Sequence, residues 1–141
     1  MAAASSATTV WEGDLAKGSG VVTPQSEAFD ATDVSWASRT QRAAGKTSPE
    51  ELLAAAHASC YCMQLAHELA EAGTPPESLE ASATVEFAPG EGVTSSRIVV
   101  TGRVPGIDQE TFAAAAASAG DGCPISGALS VPISVEATLE G

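Results

Sequence analysis

Residues 47–71 read TSPEELLAAAHASCYCMQLAHELAE and carry the strongest helix signal in the chain. Ser48 can cap the first turn, Pro49 suits the first helical position, and Glu51 stands where it can complete a capping box. Gly73 and the two prolines after it end the helix. The segment therefore predicts a helix from Pro49 to about residue 71, about 34 Å long. Its nearly all-round apolar character through the middle indicates burial at the centre of the fold.

Short alternating segments on both sides of this helix predict strands. From the N-terminus, the predicted elements are strands at 8–15, 21–23 and 33–38, the long helix, a hairpin of 79–87 with 97–104, an alanine-rich helix at 107–119 and a strand at 131–139. This order is typical of an α+β protein. With 141 residues and no long linker, the chain is predicted to be a single domain spanning 1–141.

The charge balance limits the partners of the protein. Eighteen acidic residues against six basic ones give a net charge of −12. This sign disfavours nucleic acid and the anionic face of a membrane. No run is long enough to cross a bilayer, and the start MAAASSATT lacks the features of a signal peptide. We therefore expect a cytoplasmic protein whose three cysteines are catalytic, metal-binding or inert rather than joined in structural disulfides.

Two cysteines stand in positions of different character. Cys60 lies in mid-helix, where a single cysteine is usually a small core residue. Cys123 directly precedes a proline; if that proline opens a short helix, Cys123 is its N-cap, where backbone N–H groups favour a thiolate. Arg39, Arg42 and Lys46 cluster just before the long helix. A guanidinium beside Cys60 would lower its pKa, although the same cluster could simply offset the acidic surface.

The remaining candidate residues are interpreted as structural rather than catalytic. His57 precedes Cys60 by three residues on the same helical face, so a Cys–His pair is conceivable, but the angle is poor and a packed or hydrogen-bonded histidine is favoured. Cys62 is turned about 200° around the helix from Cys60 and is interpreted as a core thiol. His57, Cys60, Cys62 and Cys123 do not have zinc-site spacing, so no metal is expected.

The whole chain resembles one known family. The segment 47–60, TSPEELLAAAHASC, resembles the OsmC/Ohr family of organic hydroperoxide reductases. Further matches in family order are WEGD at 11–14, VPGID at 104–108 and GCPIS at 122–126. His57 and the segment around Trp11 point to the OsmC branch. The resemblance implies an OsmC-like fold, with a long central helix and a second helix packed on antiparallel β-sheets, in an intertwined homodimer with two active sites at the subunit interface.

The resemblance also implies a role for each site residue. Cys60 would be the peroxidatic cysteine, Cys123 the resolving cysteine, and Arg39 and Glu50 the pair that holds the Cys60 thiolate. Attack on an organic hydroperoxide would release an alcohol and leave a sulfenic acid on Cys60, which Cys123 would convert to a disulfide. A small dithiol or dihydrolipoyl-type reductant would reset the enzyme, without a cofactor. A buried apolar approach would favour alkyl or aryl hydroperoxides.

The length of the helix adds a hypothesis about assembly. Glu50 and Cys60 are ten residues apart, which is about 15 Å along a helix and about 80° around its axis. One Glu50 cannot therefore reach the Cys60 of its own helix. We expect at least one member of the Arg39–Glu50 pair that serves each Cys60 to come from the other subunit. An alanine-rich chain with 4% aromatic residues, which buries little core alone, also favours a dimer.

Two other functions fit parts of the pattern. A small-molecule or lipid-binding protein could keep the fold without the activity, but the presence of Cys60, Cys123 and Arg39 argues against it. A thiol-dependent hydrolase could use Cys60 with His57, but it leaves Cys123 unexplained. Trp36 and Met63 are candidates to line an apolar approach to the site, or to be plain core.

Overall fold

The computed structural model describes residues 2–41 and 45–140. Their elements in chain order are β1 (Ala7–Glu12), β2 (Ser19–Pro24), β3 (Thr32–Val34), α1 (Trp36–Gln41), α2 (Pro49–Glu71), β4 (Ser78–Ala88), β5 (Gly92–Arg103), α3 (Gln109–Gly122), α4 (Pro124–Ala128) and β6 (Ile133–Leu139). Contacts divide the chain into two compact units, Met1–Leu52 and Leu53–Gly141. The predicted α+β class is confirmed.

The first unit contains a three-stranded antiparallel sheet in the order β1-β2-β3. The predicted strand at 33–38 is wrong beyond Val34, because the chain turns there into α1. Ser35 and Ser38 cap this helix reciprocally: the N–H of Ser38 donates to Ser35 Oγ and the N–H of Ser35 donates to Ser38 Oγ, both at 3.0 Å. Two local hydrogen bonds therefore prevail over the alternating pattern.

The long helix α2 begins and ends where the sequence predicts. The N–H of Glu51 donates to Ser48 Oγ at 3.0 Å, which confirms the Ser48 cap, and the Thr47 hydroxyl donates to the Glu51 carboxylate at 2.6 Å. At the other end, Gly73 takes a φ of +82°, and the N–H of Thr74 donates to the Leu69 carbonyl at 2.9 Å. This left-handed glycine closes the helix as a C-terminal cap.

The second unit contains a sheet in the order β4-β5-β6. The predicted hairpin of β4 and β5 is antiparallel, but β6 pairs parallel to β5, whereas antiparallel sheets were expected. The reason is the connection: α3 and α4 lie between β5 and β6 and carry the chain back to the same end of the sheet. α3 itself begins later than predicted, after the Asp108 cap, and continues to Gly122.

The core of the second unit lies between α2, α3 and β5. Its fully or nearly fully buried members are Tyr61, Leu65 and Leu69 of α2, Ile98 and Val100 of β5, Phe112, Ala116 and Ala119 of α3, and Val104 and Cys123. The α2 residues recur at every fourth position, so within this unit the helix buries one stripe rather than its whole circumference. The Tyr61 hydroxyl donates to the Ala116 carbonyl at 2.8 Å, which ties α2 to α3.

Gly102 is required by the packing of Phe112. A Cβ at position 102 would lie 2.5 Å from the end of the fully buried Phe112 ring and 3.1 Å from a Leu79 methyl group. We expect Gly102→Ala to lower the free energy of unfolding by about 2 kcal/mol, because an overpacked core must shift. Thermal and urea unfolding measure the change. Gly127→Ala, where nothing lies within 4 Å of the added carbon, should leave stability unchanged or slightly raised; equal losses in both variants would contradict this explanation.

Candidate active site

The second unit brings two of the predicted site residues into contact. The sulfur atoms of Cys60, in the middle of α2, and Cys123 lie 3.2 Å apart as free thiols. Cys123 ends α3 and is the N-cap of α4, as the proline after it predicts. Cys123 is only 1% exposed, whereas Cys60 is half-buried. A small oxidant from solvent therefore meets Cys60 first, with Cys123 behind it.

The two thiols share one negative charge at most. Two thiolates at 3.2 Å would repel each other, so ionisation of one sulfur opposes ionisation of the other. Burial raises the pKa of Cys60; the Ile125 N–H opposes this effect and Cys123 reinforces it. Burial also raises the pKa of Cys123, but hydrogen bonding from the Ser126 N–H, Cys60, the Ser126 side chain and the Ile125 N–H outweighs burial and lowers it.

The position of the shared proton follows from these neighbours. The geometry of the contact allows a hydrogen bond in which Cys123 donates to Cys60. The raised pKa of Cys60 and the lowered pKa of Cys123 instead make Cys60 the donor. When one of the two thiols ionises in the isolated chain, the negative charge falls on Cys123 and Cys60 keeps its proton, because more donors act on Cys123. These donors act by proximity, since the Cys123 sulfur makes no cap hydrogen bond of standard geometry. A thiolate on Cys60 therefore requires an additional positive charge near it.

His57 is a fully buried, doubly hydrogen-bonded histidine. Its Nδ1 lies 2.7 Å from Ser96 Oγ and its Nε2 lies 2.7 Å from Ser126 Oγ. This confirms the hydrogen-bonded interpretation of His57. Burial lowers its pKa, so the ring is neutral at neutral pH. Because serine hydroxyls occupy both nitrogens, neither is available as the base that a Cys60 hydrolase would need.

Arg39 and Glu50 form a two-pronged ion pair in the first unit. Arg39 Nε lies 3.0 and 3.1 Å from the two carboxylate oxygens of Glu50, and Arg39 Nη2 lies 2.9 Å from Oε2. The Glu50 side chain is 4% exposed and that of Arg39 is 31% exposed. The guanidinium also lies 5.9 Å from the centroid of the Trp36 ring. Such a pair fixes the plane of the guanidinium. Arg42 lies outside the described residues.

An apolar cavity of about 430 Å³ opens beside this ion pair within the first unit. Trp11, Val22, Trp36 and Leu52 are among its lining residues, and Arg39 is its cationic member. Trp36 lines this cavity of the first unit, and its role in an approach to Cys60 stays a prediction. Met63 is 73% exposed on α2, so within the chain it is not core. A cationic group in an apolar wall suits a ligand with a polar end and a hydrocarbon body.

Neither Cys62 nor a group of metal ligands forms a further site in the part of the chain that the structure describes. Cys62 is partly buried and lies outside the buried core of the second unit, so the prediction of a core thiol is not borne out. Burial raises its pKa against an opposing contact from the Ala81 N–H, so it is a protonated thiol at neutral pH. Across residues 2–41 and 45–140, no three His, Cys, Asp or Glu side chains gather as metal ligands. Within the same ranges, no helix combines the length and apolarity needed to span a membrane.

Sequence reasoning gave no role to two serines of this site. Ser126 lies within the GCPIS segment that carried the family resemblance, so its proximity to Cys123 could have been noticed. Ser96 gave no local signal: it is 1% exposed on β5 and meets His57 across 39 residues of chain. Its contact depends on how β5 packs against α2, which the local pattern does not determine.

The chain is similar to a known protein family and to a known relative over most of its length. A family model described as OsmC-like protein matches residues 42–138. The chain is 35% identical over 133 residues to peroxiredoxin OsmC of Escherichia coli (strain K12), and the match covers 92% of each chain. Both Cys60 and Cys123 fall inside the family-model match.

Solved structures share the fold. An OsmC-like protein from Mycoplasma pneumoniae superposes with a TM-score of 0.74 at 16% identity, covering 100% of each chain. The organic hydroperoxide resistance protein OhrB of Bacillus subtilis superposes with a TM-score of 0.63 at 21% identity, covering 96% of this chain and 98% of the other. At these identities the likeness concerns the fold.

Proposed function

The chain belongs to the OsmC family, and from this membership and the Cys60–Cys123 contact we propose that it is a cysteine-based peroxidase that reduces organic hydroperoxides to alcohols. The observation that carries the proposal is a pair of free thiols 3.2 Å apart, one half-buried and the other buried. The names of the relatives support it: one is a peroxiredoxin and another is an organic hydroperoxide resistance protein.

In the first step, the Cys60 thiolate attacks the outer oxygen of the hydroperoxide. The sulfur–oxygen bond forms as the O–O bond breaks, the departing alkoxide takes a proton to become the alcohol, and Cys60 becomes a sulfenic acid. In this assignment Arg39 supplies the positive charge that stabilises the Cys60 thiolate, and Glu50 orients the Arg39 guanidinium. The apolar cavity beside Arg39 supports a preference for alkyl or aryl hydroperoxides over hydrogen peroxide.

In the second step, the Cys123 thiolate attacks the Cys60 sulfur. The disulfide forms as hydroxide leaves and takes a proton to become water. The short distance between the sulfurs favours this step over further oxidation of Cys60, because the resolving thiol is already at the oxidised centre. A small dithiol or dihydrolipoyl-type reductant would then reduce the disulfide by thiol exchange.

The same proposal includes a homodimer in which both units of each chain form one peroxidase domain. Arg39 pairs with Glu50 of its own chain, and Glu50 and Cys60 are on one continuous helix, ten residues apart. A straight helix of that length separates them by about 15 Å. We therefore assign each Arg39–Glu50 pair to the Cys60 of the other subunit.

Oxidation by a stoichiometric organic hydroperoxide tests the proposal. The reduced protein should lose two hydrogens, and peptide mass spectrometry should find a Cys60–Cys123 disulfide within one chain. Cys123→Ser should reduce one equivalent of peroxide and then stop as sulfenic or sulfinic acid, because no second thiol adjoins Cys60. A pure binding protein or a hydrolase would leave the peroxide unchanged and form no disulfide, and that result would overturn the proposal.

A further inference from the structure

We propose that Ser126 and His57 control the resolving step: the Ser126 hydroxyl, held in place by His57, orients and activates Cys123 for attack on oxidised Cys60. This inference rests on the proposed peroxidase function and extends it to two residues that the two-cysteine mechanism does not use. Ser126 acts on the reacting sulfur, and His57 is a positioning residue that acts through Ser126.

The placement of the three residues carries the proposal. Ser126 follows Cys123 by three residues in α4, so one turn of backbone connects the hydroxyl to the sulfur. On its other side, Ser126 Oγ lies 2.7 Å from Nε2 of His57, which is 0% exposed. The ring is fixed from behind by Ser96 Oγ at 2.7 Å from Nδ1. A hydrogen-bonded row thus runs from the buried Ser96 and His57 to the partly buried Ser126.

The direction of each hydrogen bond follows from the thiolate. The Ser126 side chain is near enough to Cys123 to lower the pKa of the thiol, although the two make no hydrogen bond of standard geometry in the reduced chain. When Cys123 becomes a thiolate, the Ser126 hydroxyl, one helical turn away, is the donor placed to turn toward the sulfur. Once its hydrogen is directed at sulfur, the Ser126 oxygen must accept from Nε2–H of His57. Burial keeps the ring neutral, so Nδ1 has a lone pair and accepts from the Ser96 hydroxyl. Every polar atom of the row then has a partner of the correct type.

Packing alone does not require this arrangement. Burying the His57 imidazole and the Ser96 hydroxyl costs free energy unless both are satisfied, and apolar side chains would fill the same space without that cost. Among the described residues, no buried side-chain N or O atom lacks a partner. The row also ends on the helical turn that carries the more buried of the two reactive sulfurs, where an oriented donor has a chemical effect.

The resolving step balances with these residues in place. Cys123 loses its proton and attacks the sulfur of the Cys60 sulfenic acid, so that an S–S bond forms and the S–O bond breaks. The hydroxide that leaves Cys60 combines with a proton to give water, so the net change is a sulfenic acid plus a thiol giving a disulfide plus water. Cys60 is reduced and Cys123 is oxidised within the same chain. Ser126 and His57 are unchanged at the end.

Single-turnover kinetics of Ser126→Ala test the proposal. After mixing with tert-butyl hydroperoxide, formation of the sulfenic acid should keep its rate within about twofold, while disulfide formation should slow by about three- to tenfold. Without the Ser126 hydroxyl, a smaller fraction of Cys123 is in the thiolate form at neutral pH. The thiolate that remains is a stronger nucleophile, because its thiol has a higher pKa, and this offsets part of the loss in rate. Ser126→Thr, which keeps the hydroxyl, should restore the rate, and His57→Gln should slow the same step by a smaller factor.

A titration separates positioning from structural damage. In a Cys60→Ser, Cys62→Ala background, Cys123 is the remaining thiol, and its thiolate absorbance near 240 nm should titrate about one pH unit higher when Ser126→Ala is added. Ser59→Ala is the matched control, because its hydroxyl is next to Cys60 in sequence but donates to the Ala55 carbonyl at 2.7 Å. It should leave both oxidation rates unchanged.

The outcomes distinguish this inference from the function on which it rests. An unchanged resolving rate with an unchanged Cys123 titration overturns the role of Ser126 and leaves the peroxidase standing. Equal slowing of both oxidation steps also overturns it, because that pattern indicates general damage to the fold. A wild-type protein that consumes no peroxide would instead defeat the proposed function. If Ser126→Ala does not fold, His57→Gln supplies the same two measurements.

Discussion

Cys60→Ser is expected to reduce hydroperoxide turnover by at least about a thousandfold, because a serine hydroxyl at neutral pH cannot replace a thiolate as the nucleophile that breaks the O–O bond. The fold should survive, since the side chains differ by one atom and Cys60 is half-buried. Coupled consumption of an organic hydroperoxide with a dithiol reductant measures the loss. Unfolding curves of the reduced proteins should overlay.

Cys62→Ser is the matched control for this prediction. Cys62 is two residues further along α2, is also partly buried, and has a pKa raised chiefly by burial. It faces away from the Cys123 sulfur, so its loss should leave turnover within about twofold of the wild-type value. If Cys62→Ser abolished activity and Cys60→Ser did not, the assignment of the peroxidatic cysteine would be wrong.

The lowered pKa of Cys123 agrees with the N-cap position that the sequence predicted, whereas the raised pKa of Cys60 is opposite to the effect of a neighbouring guanidinium. The arginines before α2 led to the expectation of a lowered pKa on Cys60, yet the groups of the second unit lower the pKa of Cys123 and raise that of Cys60. The two results are compatible if the isolated site holds its negative charge on the buried resolving sulfur. Arrival of a guanidinium would then move the charge to Cys60, the sulfur that a peroxide can reach.

Local signals predicted the fold wherever they were strong. The Ser48 cap and Gly73 set both ends of α2 because their hydrogen bonds are made within a few residues of chain. The helix at Trp36 was missed because the reciprocal caps of Ser35 and Ser38 are short-range bonds hidden in an alternating pattern. The direction of β6 could not be predicted, since it depends on where α3 returns the chain.

The candidate site was predictable only in part. The pairing of Cys60 with Cys123 spans 63 residues and was inferred from family resemblance, because spacing alone left Cys60 as a core residue. The hydrogen bonds of His57 depend on Ser96 and Ser126, which come from a strand and a short helix far apart in sequence. A cytoplasmic location and the homodimer stay predictions.

Glu50→Gln is expected to weaken both stability and turnover. The substitution keeps the shape of the side chain but removes the charge that faces Arg39 at 2.9 Å. Breaking a buried pair from one side is costly, and the 31% exposure of the Arg39 side chain reduces the loss to about 2 kcal/mol. Turnover should fall by about tenfold or more, because a loosely held guanidinium no longer fixes the charge that Cys60 requires.

Glu140→Gln is the control for the loss of an ion pair. Glu140 pairs with Arg103 at 3.1 Å, but the two side chains are 52% and 60% exposed. Water screens such a pair, so its loss should change the free energy of unfolding by less than about 1 kcal/mol and leave turnover unchanged. Urea unfolding and steady-state kinetics of the two variants make the comparison. Equal effects would show that burial of Glu50 has no special consequence.

Mixed dimers connect the Glu50 prediction to the proposed assembly. Glu50→Gln chains are mixed with Cys60→Ser chains, each of which lacks one part of the site. If every Arg39–Glu50 pair serves the Cys60 of the other subunit, a mixed dimer contains one complete site, made from the Cys60 of the first chain and the Glu50 of the second.

Statistical mixing should then restore roughly a quarter of wild-type turnover, because half of the dimers are mixed and each has one working site of two. If the pair serves its own chain, no mixed dimer has a complete site and turnover stays at the level of the separate variants. That result would contradict the shared site while leaving the Cys60 chemistry intact. Full activity of a protein that sediments as a monomer would do the same.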